Sequence, residues 1–145
     1  MKLTNAAVLE GVIDALRDQI APGLSDPFTI DAARMAGSLI AIAGRAGEDA
    51  AAIRVEENAR MRAIFAEAVE VVADSDLVVR LREAAESSDP GLRIGELDSE
   101  VGRLRALLVE LHAWLEVQSD PGARRLDQAI WRAIRDAEMA RAPRG

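Results

Sequence analysis

The sequence predicts an all-α fold, an antiparallel bundle of five to six helices forming a single domain over residues 1–145. Three observations carry this expectation. Val101, Leu104, Leu108, Leu111 and Leu115 recur at alternating three- and four-residue steps, which stacks them on one helical face. Half of the residues are hydrophobic while only 3% are aromatic, so the core must come from aliphatic side chains and alanine, the residue with the lowest intrinsic cost in a helix. The aromatic and β-branched runs that favour sheets are missing. A chain of this length buries about two thirds of the surface it exposes when unfolded, enough for one core.

Thr4 or Asn5 suits the cap of a first helix running to about Ile20, with Leu9, Val12, Ile13, Leu16 and Ile20 inward and Ala21-Pro22-Gly23 ending it. Asp26-Pro27 opens a second. It carries Phe28, Ala32, Met35, Leu39, Ile42 and Ala46 on one stripe and Ala33, Gly37, Ile40 and Gly44 on another, so it is expected at the bundle centre. Gly37 and Gly44 would each cost about 1 kcal/mol relative to alanine on an exposed helix, and close contact with a neighbour is the expected compensation. A break or sharp bend over 44–49 precedes a third helix from about Asp49 to Ala73, with Ile53, Met61, Ile64, Phe65, Ala68 and Val72 inward. Ser75 is the expected cap of a short fourth helix that stops at the Ser87-Ser88-Asp89-Pro90-Gly91 loop. Asp98 or Ser99 then caps the leucine-striped helix, and Pro121-Gly122 starts a last one with Leu126, Ile130, Ile134 and Ala137 inward and Arg132, Arg135 and Arg141 outward. Residues 143–145 are expected to fray.

Composition removes several function classes. There is no cysteine, which closes thiol chemistry, thiolate zinc sites and disulfides, and agrees with a cytoplasmic location. No run of 18 apolar residues occurs, and Glu10, Asp14, Arg17 and Asp18 interrupt the first twenty-one residues, so neither a membrane partner nor a secretory signal is expected. The net charge of −7 argues against nucleic acid as a partner. Residues 121–145 hold six arginines against three acids, so a basic tail follows an acidic body.

The run from Asp31 to Arg45, then Glu56-Glu57-Asn-Ala-Arg-Met61, then Arg93-Ile94-Gly95-Glu96-Leu97-Asp98 leading into Leu104, Leu108, Leu115, Val117 and Pro121, resembles a bacterial family of small all-helical domains of unknown function. Members of that family stand alone or follow kinase-like domains similar to aminoglycoside phosphotransferases, often in genetic company with acyl-CoA dehydrogenases. The resemblance covers residues 5–121. The second helix lacks the aromatic-histidine entry expected before Ala33, and residues 122–145 extend beyond the shared pattern. The resemblance supplies no catalytic residues, and no cofactor is expected.

Few side chains are candidates for a site. His112, the single histidine, flanks the leucine stripe with Glu116 one turn on. A helical di-iron site would want glutamate where Val109 stands, so no metal is expected, and a packing or surface histidine is the plainer reading. Glu57 lies within an apolar stripe, where a buried carboxylate could serve as acid or base. Pairing with Arg54 or Arg60 at the helix boundary is the plainer reading there. Glu96 and Asp98 could face a cation, and Glu67, Glu70 and Asp74 read as a solvated face. Trp114 and Trp131 are core residues or exposed interface anchors.

The expected function is a non-catalytic accessory or interaction domain, a homodimer or the partner of an enzyme; the acyl-CoA and phosphotransfer enzymes are what the resemblance implies. The alternatives are a small-molecule-binding bundle with its ligand near Glu57 and Arg34, and a DNA-binding regulator using the arginine-rich last helix.

Overall fold

In the computed structural model, which describes residues 3–142, the described residues are mostly helical. α1 spans Asn5–Asp14, α2 Pro27–Ala68, α3 Ser75–Glu86, α4 Ile94–Glu116 and α5 Pro121–Arg141. The described residues include no strand and no helix long and apolar enough to cross a membrane. They divide into two compact units, one of residues 3–49 and one of Ala50–Ala142.

In the first unit the Thr4 hydroxyl accepts the Ala7 N–H at 3.2 Å and caps α1. The helix continues as a wider π turn over Ala15–Ile20 and closes in a 3-10 turn over Ala21–Gly23, where Pro22 has no N–H to extend it. Asp26 accepts the Thr29 N–H at 3.0 Å, and Pro27 starts α2. α1 folds back along α2. A Cβ on Gly44 would stand 3.0 Å from Leu9 Cδ1, so this glycine is what allows the approach; Gly37, expected to serve in the same way, faces open space. Leu9, Ile13 and Leu16 are half-buried, as are Ile30, Ala33, Ile40 and Gly44.

Three expectations fail in this unit. Val12 and Ile20 are exposed. The predicted break at 44–49 does not occur, and the second and third predicted helices are one 42-residue helix. Two glycines cost about 1 kcal/mol each in a helix, and without a proline the alanines around them carry the hydrogen-bond ladder through. The second predicted helix is also no central helix: Phe28, Met35, Leu39 and Ile42 are exposed, and no residue from 3 to 49 is buried.

The second unit holds the core. Met61, Phe65 and Ala68 of α2 meet Leu77, Leu81 and Ala84 of α3, Leu104, Leu108, Leu111 and Leu115 of α4, and Ala123, Leu126 and Ile130 of α5. Every member of the predicted leucine stripe is buried. Ile134, expected inward, is 40% exposed, and Ile53 is half-buried. α2 ends at Ala68, five residues before its predicted end. Asp74, read as part of a solvated face, caps α3 in place of Ser75, accepting the Asp76 and Leu77 N–H groups at 3.0 Å. α4 begins at Ile94, ahead of both predicted caps. Asp120 accepts the Ala123 N–H at 3.0 Å and caps α5, with Pro121 at its first turn. Residues 143–145, expected to fray, lie outside the described residues.

Leu108→Ala is expected to lower unfolding free energy by about 2–5 kcal/mol in a urea titration. Val79→Ala on the exposed side of α3 changes it by about 0.5 kcal/mol or less.

Candidate functional site

The second unit carries the buried charges. Glu57 is only 7% exposed, and its partners are Arg105 and Arg141, correcting the expected pairing with Arg54 or Arg60. Arg105 Nε donates to Glu57 Oε1 at 2.7 Å, and Arg141 Nη2 lies 2.6 Å from Oε2. Arg141, expected to point outward, is therefore turned onto α2. Asp98 lies inside α4, which starts at Ile94, and Arg54 holds it at 2.6 Å; that arginine keeps the carboxyl below its ordinary range. Arg60 joins Glu56 one turn back and Asp136 of α5.

A second network, not expected from the sequence, centres on Arg62. Arg62 Nη2 donates to Asp89 at 2.9 Å and to Glu100 at 2.7 Å, while its Nε donates to the Ser87 hydroxyl at 3.1 Å. Arg103 donates to both Glu100 oxygens and to Ser87. The hydrogen bonds from Arg103, with those from Arg62, hold the Glu100 carboxyl below its ordinary range. Asn58, fully buried, donates to Asp89 at 2.9 Å. The network pins the 87–91 loop against α2 and α4. Its signal was a carboxylate one turn before Leu104, the same kind of signal that singled out Glu57.

His112 is held between two carboxylates. Nδ1 lies 2.7 Å from Asp127 of α5, and Nε2 lies 3.3 Å from Glu116, the predicted neighbour. The Trp131 ring meets the imidazole edge to face, with centroids 5.5 Å apart and planes at 88°. Trp131 is 57% exposed, so this tryptophan lies on the surface, whereas Trp114 packs half-buried against the core. Position 109 is an exposed valine, and the described residues contain no group of three or more acids or histidines placed to hold a metal ion.

Ile53, Met61, Leu108, Ile134 and Met139 line a groove of about 390 Å³ in the second unit, with Glu57 and Arg105 in its wall. Arg34, expected beside Glu57, lines a separate hollow in the first unit between the π turn and α2. The first unit presents an apolar face of another kind. Phe28 is 82%, Met35 65% and Leu39 59% exposed along one side of α2. No protein-family profile matches the chain, and comparison with curated proteins and with solved structures finds no match.

Glu57→Ala leaves two guanidiniums facing each other. It is expected to cost about 2–3 kcal/mol in a denaturant titration, below the roughly 3–5 kcal/mol of a fully buried pair because both arginines reach solvent. Glu100 titrates below its unfolded value, so its contribution is complete above the ordinary glutamate range near pH 4.3 and is lost as pH falls through the lower, folded value. Acid titration of Glu100→Gln is expected to show a shallower loss of stability across that window than the wild type.

Proposed function

We propose that the chain is a non-catalytic protein-interaction domain whose docking element is the exposed apolar face of the 3–49 hairpin. The observation that carries this reading is the absence of any buried residue from 3 to 49 beside the exposure of Phe28, Met35 and Leu39. Ordering a residue costs about 1–2 kcal/mol of backbone entropy, and burial of apolar surface is the main term that offsets it. A hairpin that leaves these side chains in water lacks that term until something covers them, and contiguous exposed apolar surface marks interaction sites. The resemblance over residues 5–121 supports enzymes of acyl-CoA or phosphotransfer metabolism as the proteins such a domain serves.

A small-molecule-binding bundle is the second reading, and the groove beside Glu57 is what favours it. The polar groups along that groove weigh against it. Glu57, Arg105, Arg60 and Asp136 are engaged with one another or with Arg141, Glu56 and Glu138, which leaves few polar contacts for a ligand.

A photo-reactive residue placed at Phe28 in living cells is expected to crosslink to protein much more efficiently than one placed at Val79, which is exposed on the second unit. Equal labelling at the two positions would remove the hairpin as docking element.

A further inference from the structure

We propose that a second copy of this chain covers the hairpin, with residues 28–46 of the two α2 helices packed antiparallel about a two-fold axis passing near residue 37. The proposal rests on the reading of the hairpin as a docking element and names what docks there.

Spacing is the first argument. Phe28, Ala32, Met35, Leu39, Ile42 and Ala46 follow steps of four, three, four, three and four, the 3.5-residue repeat with which one helix grips another. All six are exposed, while the half-buried Ile30, Ala33, Ile40 and Gly44 lie on the side of α2 that α1 occupies. The seam is thus regular and open.

Side-chain size gives the direction. In the antiparallel pairing Phe28 faces Ala46 of the second copy, Ala32 faces Ile42 and Met35 faces Leu39, and the two-fold axis repeats each pair in reverse. The two end layers then set a large side chain against alanine, and the central one matches two of similar size, as interdigitating packing requires. A parallel pairing sets Phe28 against Phe28 and Ala32 against Ala32, with a crowded layer beside an empty one. Charge selects the same direction. Asp31 and Arg45 lie two heptads apart on one edge of the seam, and antiparallel packing brings Asp31 of each copy to Arg45 of the other; parallel packing leaves both beside alanine.

Sedimentation of the full chain at micromolar concentration should give twice the 15.6 kDa of one chain, and Leu39→Glu should return it to one. Trp114 and Trp131 both lie in the second unit, so an unchanged near-ultraviolet spectrum in that variant shows that its effect is confined to the hairpin. The chain has no cysteine of its own, which makes the register testable. Ala32→Cys and Ile42→Cys should form a disulfide with each other when mixed and none when oxidised alone, because like positions are displaced by about 15 Å and a disulfide needs Cα atoms within about 7 Å. Self-crosslinking of each variant alone, or a dimer that survives Leu39→Glu, overturns the proposal. A monomeric wild type also overturns it, and hydrogen exchange then separates two cases. Fast exchange over residues 5–46 leaves the hairpin a docking element for another protein, whereas protection equal to that of α4 ends both readings.

Discussion

A helix can hide only the face that another element covers, and this constraint governs both units. α4 is covered well enough that eight of its residues, from Leu97 to Leu115, are buried. Residues 27–49 of α2 carry two apolar stripes, and α1 covers one of them. The surplus is visible in the sequence as an excess of aliphatic positions, and in the structure as exposed phenylalanine, methionine and leucine. Where coverage is complete a core results; where it is partial an exposed apolar surface remains.

The charged residues of the second unit follow from the same packing. Glu57 is buried where α2, α4 and α5 meet, and Glu100 where α2 and α4 meet the 87–91 loop, and each needs cationic partners to offset the loss of water. Arginine suits this task because its planar fork can satisfy several acceptors at once; Arg62 reaches Asp89, Glu100 and Ser87 together. Such pairs add little net stability compared with apolar residues of the same volume. They do penalise any register of the helices that would leave one charge buried alone. Glu57, a candidate acid or base by its place in an apolar stripe, is tied by ion pairs to both α4 and α5.

What could be read from the sequence was local and periodic. The leucine stripe, the 87–91 loop and the Thr4 and Asp26 caps each depend on residues within a turn or two of one another, and each stands where its spacing placed it. Partners beyond that range could not be read. Sequence spacing points Glu57 to Arg54 or Arg60, one turn away, whereas its partners come from α4 and α5. Asp98, expected as a cap, lies inside α4 and meets Arg54, forty-four residues distant. Asp127, the closer carboxylate to His112, sits on another helix. The glycine break failed for a different reason: glycine weakens a helix by an amount that alanine-rich flanks can absorb, and its meaning at Gly44 depended on Leu9 arriving from α1.

The two stripes of α2 therefore do different work, although their composition is similar. The stripe with Ala33, Ile40 and Gly44 is built of small and medium side chains, which permits α1 to lie close. The stripe with Phe28, Met35 and Leu39 holds the larger side chains of the segment and faces solvent. Exposed alanine would cost nothing and expose little, so bulky residues at those positions carry a solvation cost that the isolated hairpin does not recover. The sizes alternate along a heptad repeat, and an irregular apolar surface would have no such order. Regular spacing points to another helix as the complement of this face, and mutually fitting sizes at its two ends point to this same helix in reverse.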